Sequence, residues 1–366
     1  MDTHIALLET QVTRLGIVLE PSGDPAEAAG VLNPGATRAR DGTLLLYPRE
    51  VAAGNVSRIG LAAQSEGDGE LRFIRAGVTL EPAEPYELRS TPGGFGCEDP
   101  RVTFVPLIDA YVMAYTAFGP DGPRIALALS EDGYAWRRLG LADFSAAGLP
   151  RGDDKDAAFF PEPVISPAGV TSLAFYHRPM THISAVDGHA AVPLILSMPA
   201  RERELVRIAY VPLEPVLADP ANIVKVAESV PVLEPASRWG RVKNGAGTPP
   251  VRIEEGWMSL FHGVDAEFDA GSRFTGLRYS AGIVIHDAER PHVVLYRSPE
   301  PILVPERDEE RRGVVSDIVF PTGIDVASKA RSYDVYYGMA DARIGRARLA
   351  LGASAFKASD AQESAA

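Results

Sequence analysis

The chain has 366 residues, 46% of them apolar and 23% charged. That is an ordinary globular balance, large enough to bury a core without a disulfide or a structural metal. Its 49 Asp and Glu outnumber 36 Lys and Arg, for a formal charge of −13. This argues against nucleic-acid binding over a broad surface, which needs clustered cations, but leaves room for a small basic pocket. One Cys rules out an internal disulfide and a Cys-based zinc site.

The opening MDTHIALLETQVTRLG lacks a basic start followed by an apolar run, so no signal peptide is expected. No stretch approaches the ~20 apolar residues that span a bilayer. The expectation is a cytoplasmic protein with no membrane partner. Ile5, Leu7, Leu8, Val12 and Leu15, after a cap at Thr3, predict a short N-terminal helix within a lead-in covering residues 1–29.

From residue 30 to 352 the 34 Gly and 30 Pro are spread evenly, as in short strands joined by turns. Five polar Pro/Gly segments recur: Asn33-Pro34-Gly35-Ala36, Glu98-Asp99-Pro100-Arg101, Phe160-Pro161-Glu162-Pro163, Gly247-Thr248-Pro249-Pro250 and Phe320-Pro321-Thr322-Gly323. Each precedes an aromatic-rich strand: LLLYPR from Leu44, YVMAYTAF from Tyr111, LAFYHRP from Leu173, MSLFHGV from Met258 and YDVYYGM from Tyr333. Third strands follow at Arg58, Arg124 and Arg343, and less clearly at Leu194–Ser197 and Tyr279–Asp287. Fourth strands read at Leu71–Arg75, Leu205–Tyr210 and His292–Tyr296. Four strands repeated five times predict an all-β, five-bladed β-propeller over residues 30–352. A two-sheet sandwich built from the same strands is the alternative. The tail, residues 353–366, is small and polar and is expected to be disordered.

In a propeller the first strand of each blade lines the central channel. The repeat therefore gathers Asn33, Glu98, Asp99, Arg101, Lys155, Asp156, Glu162, Thr248 and Asp317 at one end of it. Carboxylates, an amide and a few cations suit a sugar or sugar phosphate better than an apolar ligand. Glu98-Asp99-Pro100-Arg101 is the sharpest local signal. Neighbours on a strand point to opposite faces, so one of Glu98 and Asp99 is expected to face the channel. Lys155, His177, Arg178 and Arg124 would form a local anion site if they converge. His177 and His182 have no third ligand in register, so no metal is expected. Gly245-Ala246-Gly247-Thr248-Pro249-Pro250 runs into prolines rather than a helix and fails as a nucleotide loop. No Gly-x-Ser-x-Gly elbow is present. Cys97 reads as a small buried thiol.

Taken in order, several stretches resemble glycoside hydrolase family 130. They are Asn33-Pro34-Gly35-Ala36, Gly96-Cys97-Glu98-Asp99-Pro100-Arg101, Arg124–Ala128, Lys155–Glu162, His177-Arg178-Pro179, Gly245–Pro250 and Val319–Gly323. The resemblance covers about residues 30–350 and implies a five-bladed propeller acting on β-mannosides. It implies that Asp99 is the general acid and that Arg124, Lys155 and His177 bind inorganic phosphate. Asn33, Arg49 and Asp317 fall where the family holds the mannosyl ring and the nearby anion. Glu98, Arg101 and Asp156 complete the expected substrate-binding set. The implied reaction is inverting phosphorolysis to α-mannose 1-phosphate, with phosphate as co-substrate and no metal or organic cofactor. Two alternatives stand beside it. One is an inverting β-mannosidase in which Glu98 or Glu162 activates water, roughly 6.5–9.5 Å from the acid. The other is a non-catalytic sugar-binding propeller. Pro48 before Arg49, and Asp153 and Asp154 before Lys155, depart from the family pattern. The expected partners are a small carbohydrate and phosphate, with a homo-oligomer left open.

Overall fold

A computed structural model of the chain describes residues 8–65, 71–149, 151–180, 188–327 and 330–352. The fold is all-β, with short helices only in connections. After β1 (Thr10–Leu19), the strands β2 (Gly30–Arg38), β3 (Leu44–Ala52), β4 (Val56–Ser65) and β5 (Arg72–Leu80) make an antiparallel meander. A second follows with β6 (Phe95–Val105), β7 (Ala110–Gly119), β8 (Gly122–Ser130) and β9 (Arg137–Leu141). The two share one sheet only through a two-residue parallel pairing of β4 with β6, Val56 to Phe95 and Ser57 to Gly96. The third contains β10 (Asp154–Phe159), the short β11 (Val164–Ile165), β12 (Thr171–Pro179), β13 (Val206–Pro212) and β14 (Glu228–Leu233). The fourth contains β15 (Lys243–Ala246), β16 (Val251–Ile253), β17 (Gly256–Phe268), β18 (Phe274–His286) and β19 (Val294–Arg297). The fifth consists of β20 (Val319–Val326), β21 (Ser332–Met339) and β22 (Arg343–Leu351), with β1 pairing on β22 as its outer strand.

The core lies between consecutive meanders. Tyr47, Met113 and Tyr115 pack the first against the second, and Val112, Ile125, Phe159 and Phe175 the second against the third. Tyr176, Phe160, Trp257 and Phe261 join the third to the fourth, and Met258, Ile283, Val335 and Leu349 the fourth to the fifth. Val31, Leu46, Tyr336 and Ile344 join the fifth back to the first. Strands such as β7 are buried on both faces, which is why they read as continuous apolar runs rather than as alternation. The first strands touch in turn, β2 against β6, β6 against β10, β10 against β15, and β20 against β2.

Two expectations are corrected. The N-terminal helix is a strand over Thr10–Leu19, while Thr3, Ile5 and Leu7 lie outside the described residues. β22 offers an edge that β-branched Val12, Thr13, Ile17 and Val18 can pair with, and exposure along β1 alternates at first, as a strand requires. Leu194–Ser197 belongs to an α-helix, α1 (Gly188–Ser197), and the third strand of that meander is β13. A short apolar run does not by itself distinguish strand from helix. The 353–366 tail and His182 also lie outside the described residues.

Candidate functional site

The site is built from a repeated backbone defect. β2, β6 and β10 each lose register with the following strand, between Leu32 and Gly35, Glu98 and Arg101, and Lys155 and Ala158. At each break one residue turns into the left-handed region: Asn33 (φ 44°), Asp99 (φ 47°) and Asp156 (φ 64°). Asn and Asp tolerate that conformation better than most side chains, and a bulge re-aims the residues around it. The strict alternation expected for Glu98 and Asp99 therefore fails. Arg49 reaches both, with Nη2 donating to Glu98 Oε1 at 2.9 Å and Nη1 to Asp99 Oδ1 at 3.2 Å.

Around Asp99 lies a cavity of about 230 Å³. Asn33, Arg49, Asp99, Lys155 and Asp156 line it, together with Arg178, Lys243, His262 and Asp341, and Phe320, Ile318, Val315 and Met180 give it an apolar side. Asn33 Nδ2 donates to Asp99 Oδ1 at 2.9 Å, and Lys155 Nζ to Glu98 Oε2 at 3.0 Å. The second strands supply the next layer. Arg178 donates to Asp156 Oδ2 at 2.6 Å and also pairs with Glu204. His262 Nε2 stands 3.7 Å from the same Asp156 oxygen, with its ring 4.3 Å from that of Phe320. Gly245 and Gly338 have to be small here. A Cβ on Gly245 would meet the His262 ring at 2.1 Å, and one on Gly338 would meet Asn33 Oδ1 at 2.0 Å.

At Asp99 and Asp156 the electrostatics oppose burial. Burial pushes the Asp99 carboxyl up, but Arg49, Arg101, Lys155 and the Asn33 amide together hold it below its ordinary value. Burial likewise acts on Asp156, and the Arg178 and Arg101 guanidinium groups overcome it. Lys155 is desolvated, yet Glu98 and Asp99 keep its ammonium favoured and raise it. Asp341 differs: burial and the nearby Asp99 and Glu98 charges outweigh Arg49 and Lys155, and its carboxyl is pushed up to about 6. Burial pushes His262 down to about 3, so its ring is neutral. Lys243 forms no ion pair among the described residues and lies 5.7 Å over the Tyr279 ring.

Not every expected residue reaches this cavity. Arg101 is buried and spent on protein partners, the carbonyls of Asp99, Ala246 and Gly247 and the Asp156 carboxylate. His177, on the opposite face of β12 from Arg178, is clamped between Asp154 and Ser229 at 2.7 Å each. Arg124 lines a neighbouring cavity. Asp317 offers its backbone carbonyl to Tyr279 N rather than a carboxylate to the cavity. Glu162 is exposed and away from the cavity, and Glu98 is held by Arg49 and Lys155. The third and fourth repeat segments were placed too late in sequence: the bulge of the third meander is at Asp156, with no Pro, and β15 ends before Thr248. Sequence reading missed Asp341, Lys243 and His262. His262 had a signal, a polar residue in the aromatic second strand at the level of Arg49 and Arg178. Asp341 had one too: it follows the Tyr336-Tyr337-Gly338 strand in a two-residue turn where Ala340 (φ 48°) and Asp341 (φ 51°) are both left-handed.

No group of three or more His, Cys, Asp or Glu among the described residues could hold a metal ion. No helix there is long and apolar enough to cross a membrane. A buried carboxyl with cations beside it is an arrangement suited to moving a proton and to holding an anion.

Known proteins give a consistent comparison. The glycoside hydrolase family 130 model, described as beta-1,4-mannooligosaccharide phosphorylase, matches residues 4–192 and 211–352. The 1,2-beta-oligomannan phosphorylase of Thermoanaerobacter sp. (strain X514) is 28% identical over 298 residues, 80% of this chain and 79% of its own. The beta-1,2-mannobiose phosphorylase of the same organism is 29% identical over 297 residues, 79% and 76% of the two chains. In fold the chain is similar to the beta-1,2-mannobiose phosphorylase of Listeria innocua bound to beta-1,2-mannobiose, with a TM-score of 0.65, 21% identity, and coverage of 92% of this chain and 96% of that one. With the family model spanning nearly all of the described fold, this chain belongs to glycoside hydrolase family 130.

Proposed function

We propose that the protein is an inverting β-mannoside phosphorylase in which Asp99 is the proton donor. We further propose that its five meanders are the blades of a propeller, with the bulged first strands around the axis. The observation that carries the reading is the contact of one buried carboxyl, Asp99, with Arg49, beside Lys155, in a cavity of sugar size. Phosphate is already an anionic nucleophile and needs no base, whereas hydrolysis would need a second free carboxylate for water. Glu98 and Glu162, the two bases considered, are respectively tied up and out of reach, which leaves Asp341 as the cavity carboxyl that hydrolysis would have to use. Arg49 can fork two phosphate oxygens and Lys155 adds a compact charge. Lys243 has a charge to spare, and the proposed anion cradle is Arg49, Lys155 and Lys243 rather than the set with Arg124 and His177.

In the reaction a phosphate oxygen attacks the anomeric carbon of the terminal mannosyl unit. The glycosidic C–O bond breaks on the opposite side, and the proton of Asp99 passes to the leaving oxygen, directly or through a sugar hydroxyl. Phosphate entry also prepares the acid. Its negative charge offsets the guanidinium and ammonium groups that depress Asp99, so the carboxyl takes up its proton as the nucleophile arrives. No metal or organic cofactor is called for. The deciding experiment incubates the protein with β-1,2- and β-1,4-linked manno-oligosaccharides, with and without phosphate. Phosphate-dependent α-mannose 1-phosphate is expected. Free mannose at equal rates in both conditions would make it a hydrolase, and binding without turnover would make it a sugar-binding protein.

A further inference from the structure

We propose a second catalytic site, separate from the Asp99 cavity, that hydrolyses carboxylic esters of small acyl groups, with Ser229 as nucleophile, His177 as its base and Asp154 orienting the base. It goes beyond the phosphorolysis reading and does not depend on it. His177 Nδ1 stands 2.7 Å from Asp154 Oδ2, and His177 Nε2 stands 2.7 Å from Ser229 Oγ. A nucleophile, a base and an orienting group within hydrogen-bond reach of one another mark an activated serine, whatever the fold or chain order. The lack of a Gly-x-Ser-x-Gly elbow therefore does not exclude one.

The hydrogen bonds run in one direction. Arg207 Nε donates to Ser229 Oγ at 2.9 Å, so the hydroxyl places its own proton on another group, and His177 Nε2 is in reach to accept it. With Nε2 accepting, the ring proton sits on Nδ1 and points at Asp154. Asp154 Oδ1 accepts from the Arg178 backbone N–H at 3.0 Å, which fixes the carboxylate. His177 is fully buried, with the Phe144 ring 4.7 Å from its own, so the base is held away from water. Ser229 is half-buried on β14, the outer strand of its sheet, and a substrate approaches from that edge. Arg207 forms no ion pair among the described residues. Its Nη2 holds the Ser229 carbonyl at 2.8 Å, and Nη1 is left for a developing oxyanion. Ser229 Oγ attacks the ester carbonyl as its proton passes to His177 Nε2. The imidazolium then gives that proton to the alcohol oxygen as the C–O bond breaks, leaving acyl-Ser229. Water attacks the acyl carbon while its proton passes to His177, and the carboxylic acid departs as Ser229 regains that proton. An alcohol leaves more readily than an amine, and approach from one edge suits a small acyl group such as acetyl.

The test is hydrolysis of p-nitrophenyl acetate by the full chain, with a fluorophosphonate label located by peptide mass spectrometry. Turnover well beyond one equivalent and modification at Ser229 are expected. Ser229→Ala, which removes one hydroxyl from a half-buried position, should lose at least about 10²-fold in acetate release. Its action on manno-oligosaccharides with phosphate should stay at the wild-type rate. Ester hydrolysis unchanged in Ser229→Ala, a fluorophosphonate that leaves Ser229 unmodified, or a burst of one equivalent with no further turnover overturns the proposal. Equal losses in both activities overturn it as well, because the two sites would then not be separate.

Discussion

Asp99 meets conflicting demands. In its proposed role as donor it must carry a proton, yet Arg49, Arg101 and Lys155 favour its charged form. The conflict yields a pH signature. Activity should fall as pH rises through the Asp99 pKa, because the proton is lost, and that alkaline limb should move upward when phosphate is saturating. A limb indifferent to phosphate would count against the coupling. Asp99→Asn should lose at least about 10²-fold in kcat with the fold intact by circular dichroism, since a positioned acid contributes that much or more. Lys155→Ala should raise KM for phosphate far more than KM for the mannoside; equal rises would remove Lys155 from the anion cradle. Asp99 was legible because Glu98-Asp99-Pro100-Arg101 is a local motif. That Arg178 and not His177 lines the cavity was not legible, because sequence alone does not tell which of two adjacent residues on β12 faces inward.

The bulges and β1 show what local pattern misses. A bulge is one extra residue in a ladder, and nothing in Lys155-Asp156-Ala157 announces it without the pairing partner Arg178. The strands themselves were readable from aromatic and β-branched content, and most of the second strands stand where expected. β1 was misread because its apolar residues fit a helical stripe, while the edge it pairs with lies more than 300 residues away in β22. Its hold on the fifth meander is partly electrostatic. Arg14 donates to both Glu310 oxygens, at 2.7 and 3.1 Å, and Glu310 is fully buried. Removing the cation strands that carboxylate, although Tyr337 and two backbone amides still donate to it. Arg14→Met should therefore cost about 3 kcal/mol in urea unfolding. A loss under about 0.5 kcal/mol, the range of ordinary surface changes, would mean that β1 is held by pairing alone.

Across the fold, five clusters join successive meanders, and this recurrence is why the all-β class could be read from repeats while connections such as α1 could not. The same packing buries neutral histidines. Burial pushes His286 down to about 4, as it pushes His262 to about 3. Between pH 6.5 and 5 the unfolded chain binds protons that the folded chain refuses, so stability should drop on acidification by up to about 1.4 kcal/mol per pH unit for each histidine. The thermal midpoint should fall over that window, and His286→Phe should flatten the slope; an unchanged slope would show that His286 is charged in the fold. Arg101 has a different consequence. Its guanidinium joins β6, β10 and β15 and lies 5.6 Å over the Phe320 ring of β20. In the proposed propeller, with that guanidinium and ring closing the axis behind Asp99, reactants and products would share a single doorway. Whatever sits deepest has to arrive first and depart last, so initial-rate kinetics should show a compulsory sequence, with one product competing against one co-substrate alone.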